Sequence, residues 1–181
     1  MEFLKRSLII TTLSILFLNA CAEQIQPVVN APESVVAEQN IGQNFLQGQF
    51  TLEDGSVRSL ADLNDKPLVL YFVGEFCGSC RQEAIHLKEM ISVKGLPTKI
   101  HLASVMLEVN AGTATEWFDS ISPASPKWIL GSDASLGLYF QYFQQLVTPS
   151  IIFFDPNTQI LKRWQKVIPL NQLEQETVPW Y

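Results

Sequence analysis

Two cysteines separated by two residues, Cys77-Gly78-Ser79-Cys80, are the part of this 181-residue chain whose type and spacing point most directly to chemistry. An apolar run of β-formers, Leu68, Val69, Leu70, Tyr71, Phe72 and Val73, leads through Gly74 into the pair, and a helical pattern follows at once. The thiols therefore sit at a strand–turn–helix junction. The first residues of a helix carry unpaired backbone N–H groups and the positive end of the helix dipole, which favour a thiolate at Cys77 over a thiol. A helical first turn also brings the two sulfurs within bonding range, so Cys80 can attack a mixed disulfide formed at Cys77 and release the partner. Cys77 is the expected nucleophile and Cys80 the expected resolving thiol.

The elements that must hold this junction can be read on either side of it. Phe50-Thr51-Leu52-Glu53 alternates as a half-buried strand does, Asp54-Gly55 is a hairpin turn, and Val57 and Arg58 return. Residues 59–63 form a short helical turn, and Lys66-Pro67 precedes the continuous apolar run, which suits a strand buried on both faces of an α/β sheet. The helix after the cysteines is expected over 80–92, with Ala84, Leu87 and Ile91 on one stripe, and Gly95 and Pro97 end it. A second strand spans 100–107. Thr113-Ala114-Thr115-Glu116 reads as a capping box opening a second helix with Trp117, Phe118 and Ile121 turned inward. A Ser-Pro loop at 122–126, a short strand at 128–130, an aromatic-rich helix at 134–144, strands at 150–154 and 160–167, and a closing helix at 170–176 complete the pattern.

The length suits one domain with appendages, and an apolar content of 47% is enough to build its core. The formal charge is −6; residues 1–20 contribute +1 through Glu2, Lys5 and Arg6, so the remainder carries −7, which argues against nucleic acid as a partner. Lys5 and Arg6 followed by an apolar stretch at 8–18 read as a targeting segment, since about 20 apolar residues are needed to span a bilayer. Residues from 22 to about 40 are polar, contain Pro27 and Pro32, and read as a flexible tether.

The segment F-V-G-E-F-C-G-S-C-R-Q-E resembles the active-site stretch of thioredoxin-fold proteins, most closely the TlpA/ResA-like thiol–disulfide oxidoreductases tethered in the bacterial cell envelope. Residues 46–63 resemble the N-terminal hairpin of that group, and Thr148-Pro149-Ser150 followed by I-I-F-F-D resembles its cis-proline loop and strand. The resemblance covers about 41–175 and implies an α/β thioredoxin-like fold: a central mixed sheet flanked by helices, with an added hairpin. It implies a domain over 41–181, preceded by a signal peptide at 1–20 and a lipid-anchored linker at 21–40. Leu18-Asn19-Ala20-Cys21 resembles a lipobox, whose cysteine is acylated and becomes the mature N-terminus; an ordinary secretory signal cleaved nearby, or an uncleaved anchor, is the alternative. Setting Cys21 aside leaves Cys77 and Cys80 as one redox pair outside the cytoplasm.

On this resemblance the protein would exchange disulfides with envelope proteins, in the reducing direction, with no cofactor beyond the Cys77–Cys80 disulfide. A membrane electron donor would be allowed. Thr148 and Pro149 would present a backbone edge to an extended partner chain, and Phe76, where the group usually has Trp, would form part of the docking surface. Pro149 at the start of an ordinary strand is the bland alternative. Glu83, three residues after Cys80, shares a helical face with it; it is either a partly buried carboxylate that exchanges a proton with Cys80, as the resemblance implies, or a solvated helix charge. Glu75 reads as a surface residue. Tyr71 stands where ordinary thioredoxins keep a buried Asp, Ser79 where many relatives have Pro, and residues 162–168 lack the glycine that commonly lines the docking groove.

Other chemistries on this scaffold fit less well. Peroxiredoxins carry T-x-x-C, but Gly74 occupies the Thr position here. His86 and His101 are the only histidines, and a copper-delivering relative has three residues between its cysteines, so no metal site is expected. A copper chaperone, or a non-catalytic binding module with a structural disulfide, remains the alternative function.

Overall fold

A computed structural model describes residues 42–93, 99–121 and 128–180. The signal peptide, the lipidation site Cys21, the linker, the helix stop at Gly95 and Pro97 and the loop at 122–126 lie outside the described residues. A short helix α1 (Gly42–Phe45) leads into a hairpin of β1 (Gln49–Leu52) and β2 (Val57–Ser59), which turns at Gly55 with φ of 79°. A 3-10 turn (Leu60–Leu63) follows, capped by Ser59 and Asp62 acting on each other's backbone. Then come β3 (Leu68–Val73), α2 (Gly78–Val93), β4 (His101–Leu107), α3 (Ala111–Ile121) and β5 (Ile129–Asp133). The chain ends with α4 (Gly137–Phe140), β6 (Ser150–Asp155), β7 (Ile160–Gln165), α5 (Leu170–Thr177) and a 3-10 turn (Val178–Trp180).

The strands form one seven-stranded sheet in the order β2-β1-β5-β4-β3-β6-β7. β3 runs parallel to β4, and β4 to β5, while β1, β6 and β7 join antiparallel. The expected mixed α/β sheet with an added hairpin is therefore present. All of β3 is buried. Its alternate residues divide between two cores: Val69, Tyr71 and Val73 pack with Leu87, Trp117 and Leu173, whereas Leu68, Leu70 and Phe72 pack with Phe45, Leu138 and Tyr139. Fully burying a side chain of this size stabilises by about 2 kcal/mol, so a strand apolar on both faces can only be a central one.

Five local expectations differ from the structure. The helix over the cysteines begins at Gly78 rather than Cys80. α3 begins at Ala111, one turn before the expected capping box, because the Asn110 carboxamide oxygen accepts from the Thr113 N–H at 3.1 Å and so occupies the cap itself. The helix expected over 134–144 shrinks to Gly137–Phe140. There Leu136 takes a left-handed backbone with φ of 60°, and the chain beyond Phe140 curls around the Tyr139 hydroxyl, which takes up backbone groups of Gln145 and Val147 in place of continued helical bonds. The strand expected at 128–130 runs from Ile129 to Asp133, and β7 stops at Gln165, two residues short of the expected end.

Candidate redox site

Strand β3 delivers the chain to the carboxyl edge of the sheet, where Gly74 to Cys77 make the turn into α2. Cys77 N–H donates to the Gly74 carbonyl at 3.2 Å, and Arg81 N–H to the Cys77 carbonyl at 3.3 Å. The Trp117 indole of α3 donates to the Glu75 carbonyl at 3.1 Å and pins this turn from the side. Arg81 stacks over the same indole, 5.4 Å from its centre, and donates to the Ser120 hydroxyl. Glu75 itself is exposed, as its sequence position suggested.

Cys77 and Cys80 form a disulfide with Cα atoms 5.2 Å apart. The two sulfur environments differ. Cys80 is fully buried, whereas Cys77 is half-buried at the start of α2. The Cys77 sulfur accepts from the Cys80 N–H at 3.1 Å and lies 3.4 Å from the Ser79 hydroxyl. A thiolate released at Cys77 would meet these donors already in place, together with the positive end of the helix. Phe76, beside it, is 94% exposed.

On the partner strand, Phe72 of β3 pairs with Ser150 of β6, which sets the preceding Thr148-Pro149 at the level of the turn. The peptide between them is cis. A Cβ on Gly74 would lie 3.3 Å from the Thr148 hydroxyl and 3.7 Å from the Cys77 Cβ, so glycine lets the two segments close on each other. The Pro149 carbonyl accepts from the Lys166 N–H at 2.8 Å, with Lys166 in a left-handed conformation of φ 71°. The position opposite Pro149 thus has a backbone suited to glycine and is filled by lysine.

Two tyrosines complete the site: Tyr139, which sequence reasoning passed over, and Tyr71, which it placed at the position of a buried Asp without giving it a role. The fully buried Tyr139 hydroxyl accepts from the Val147 N–H at 2.9 Å and from the Gln165 amide at 3.0 Å, and contacts the carbonyls of Gln145 and Val147 and the Ser150 hydroxyl. It anchors the loop that ends at Thr148-Pro149. Tyr71, beneath the disulfide, donates to the Cys80 carbonyl at 2.8 Å. Neither role has a local sequence signal, because both bonds join residues from separate elements or across an irregular loop.

Glu83 is 1% exposed, below the redox pair rather than in solvent. Its Oε1 accepts from the Ile168 N–H at 2.8 Å, while Oε2 has no partner. Burial pushes its pKa up to about 7, against the Ile168 N–H and the Tyr71 hydroxyl, which act to lower it. Burial also pushes the Tyr71 hydroxyl far up, with the Glu83 charge adding to the effect. Near neutral pH this carboxyl can therefore either hold or accept a proton. His86 is half-buried on α2, and His101, at the opposite end of the sheet, pairs with Asp65. Among the described residues no group of three or more His, Cys, Asp or Glu could hold a metal ion.

No family model matches the sequence, and no curated protein matches it. Solved structures do. A thioredoxin-like protein from Aeropyrum pernix superposes with a TM-score of 0.60 at 16% identity, covering 76% of this chain and 91% of that one. The chain has a thioredoxin-like fold. Other structures sharing it include a secreted Mycobacterium tuberculosis disulfide oxidoreductase homologous to Escherichia coli DsbE, with a TM-score of 0.60, 17% identity, and 75% and 98% of the two chains covered. The exposed lipoprotein thioredoxin of Streptococcus pneumoniae gives a TM-score of 0.55 at 17% identity, covering 72% of this chain and 97% of that one. Within this thioredoxin-like fold, the cysteine pair occupies the junction of a central strand and the following helix, with the cis proline beside it. The fold's usual buried Asp is replaced here by Tyr71, its hydroxyl held against the Cys80 backbone.

Proposed function

We propose that the protein is a thiol–disulfide oxidoreductase of the bacterial cell envelope, exchanging disulfides with partner proteins through Cys77 and Cys80 and acting as a reductase. One observation carries this reading: of two bonded sulfurs, the half-exposed one sits at a helix start among hydrogen-bond donors, and the buried one sits above a carboxyl able to take a proton. In the reduced protein the Cys77 thiolate attacks a partner disulfide, forms a mixed disulfide and expels one partner sulfur as thiolate. Cys80 then loses its proton to Glu83 and attacks the Cys77 sulfur. The Cys77–Cys80 bond forms, the bond to the partner breaks, and the partner leaves reduced by two electrons.

Thr148 and Pro149 offer a backbone edge for an extended partner segment, and Phe76 an apolar ring beside it. The disulfide is the only redox group the reaction requires. A lipid on Cys21 would hold the domain at a membrane surface, with a membrane protein as electron donor; the partners are envelope proteins bearing disulfides or thiols, such as apocytochromes c or proteins with metal-site cysteines.

The deciding experiment is the rate of Cys77 alkylation against pH on the reduced protein. An apparent pKa well below the free-thiol value of about 8.5, with mixed disulfides accumulating in Cys80→Ser, supports the reading. An unshifted pKa with no trapped partner rejects it. Equilibration with glutathione tests direction: a potential near about −270 mV fits a reductase, and one near about −120 mV an oxidant.

A further inference from the structure

Tyr71 has one hydroxyl proton and two acceptors. The side chain is wholly buried, its hydroxyl donates to the Cys80 carbonyl at 2.8 Å, and the Glu83 carboxyl is near enough for each group to shift the other's proton affinity, with Oε2 left free to take that hydroxyl's proton. Glu83 holds the Ile168 N–H on one oxygen and leaves the other, Oε2, buried without a partner. Leaving a buried oxygen unpaired is costly, far more so when it is charged. With Glu83 protonated, its O–H can donate to the Tyr71 oxygen while the phenol proton stays on the Cys80 carbonyl, and each group is satisfied. With Glu83 ionised, the carboxylate is the stronger acceptor, and the phenol proton turns to Oε2, releasing the Cys80 carbonyl.

We propose that Tyr71 is a positioning residue for the resolving step, its single hydroxyl proton shared between the Cys80 carbonyl and the Glu83 carboxyl, so that the charge on Glu83 is transmitted to the backbone of Cys80. This rests on the oxidoreductase reading above. Before resolution Glu83 is ionised and holds the phenol proton. The Cys80 thiol passes its proton to Glu83, the Cys80 sulfur bonds to the Cys77 sulfur, and the partner departs with the electron pair of the broken bond. Neutral Glu83 then returns the phenol to the Cys80 carbonyl. The structure, which contains the disulfide, has the phenol in that final position. The titratable group that acts on Glu83 is Tyr71 from β3, and Cys80 lies three residues before it on α2. The segment after β7 presents the Ile168 N–H.

The test loads Cys77 of the full-length reduced protein with 5,5′-dithiobis(2-nitrobenzoate) and follows the second, reagent-independent release of thionitrobenzoate, which reports attack by Cys80. The rate is measured against pH. The wild type should show an inflection near pH 7, Glu83→Gln should lose it, and Tyr71→Phe should move it upward by about one to two pH units, because the ionised carboxylate loses its donor. A purely structural tyrosine would lower Tm and leave the inflection in place, which overturns the assignment of Tyr71 alone. Absence of any second phase, or an inflection unchanged by Glu83→Gln, instead rejects the resolving chemistry or the role of Glu83. A second measurement needs no variant: in the oxidised wild type the 13C shift of the Cys80 carbonyl should titrate with the same midpoint as the Glu83 carboxyl. A Cys80 carbonyl that stays flat while Glu83 titrates overturns the shared proton.

Discussion

The two faces of the sheet each bury a tyrosine hydroxyl, and they use it differently. On the face covered by α2, Tyr71 lies beneath the disulfide with Glu83 and meets one backbone carbonyl and one titratable group. On the other face, Tyr139 gathers the backbone of Gln145 and Val147 and the side chains of Ser150 and Gln165. The first face can respond to a proton, because its polar cluster includes an incompletely paired carboxyl. The second is a fully paired anchor that fixes where Thr148 and Pro149 stand. On the proposed function, chemistry and recognition would be divided between opposite sides of β3 and meet at its carboxyl end.

That division can be broken at either face. The largest effect is expected at the junction: Cys77→Ser should abolish exchange, whereas Cys80→Ser should retain the first attack and accumulate mixed disulfide, both visible on non-reducing gels. Next comes Glu83. Its folded pKa of about 7 lies above the ordinary 4.5, so between those values the native state keeps a proton that the unfolded chain has released. Stability should therefore fall as pH rises through this window, by about 3 kcal/mol, with the loss complete above pH 7. Denaturant titrations at pH 4.5 and 8 should show this fall in the wild type and lack it in Glu83→Gln; an equal fall in both would place the cause elsewhere.

On the anchoring face, Tyr139→Phe leaves the Val147 N–H without its acceptor and the Gln165 amide with only the Gln145 carbonyl, and should cost about 2 kcal/mol. Exchange with a protein disulfide should slow while alkylation of Cys77 by a small reagent stays unchanged. If both slow together, the two faces are not separable. The smallest effect on stability belongs to Phe76→Ala: so exposed a ring should change it by less than about 0.5 kcal/mol, yet weaken exchange with protein partners more than with glutathione.

Much of this was legible in order along the chain. Residues 68–73 announced a central strand because no other element buries six consecutive apolar side chains at a turn. Asp54-Gly55 announced the hairpin, and the proline at 149 fell beside the cysteines because β6 pairs antiparallel with β3. What failed was local and competitive. Residues 134–144 have helical composition, but the packing of Tyr139 against the cis-proline loop outweighs helical continuation. Asn110 outcompetes the Thr113 box because its carboxamide reaches the first free N–H groups earlier. For Glu83, spacing gave the face of α2 it shares with Cys80 but not the depth, since depth depends on Ile168, eighty-five residues on.

The sequence by itself determined the thiol pair, its strand–turn–helix setting, the two-sided burial of β3 and the polarity of α2, because these follow from periodicity and nearest neighbours. Only the tertiary structure decided that Glu83 is buried with one oxygen unpaired, that Tyr71 links it to Cys80, and that Tyr139 secures the proline loop. Each depends on polar atoms brought together from distant segments and shut away from water, where a single unpaired oxygen or shared proton carries a cost that no local pattern encodes.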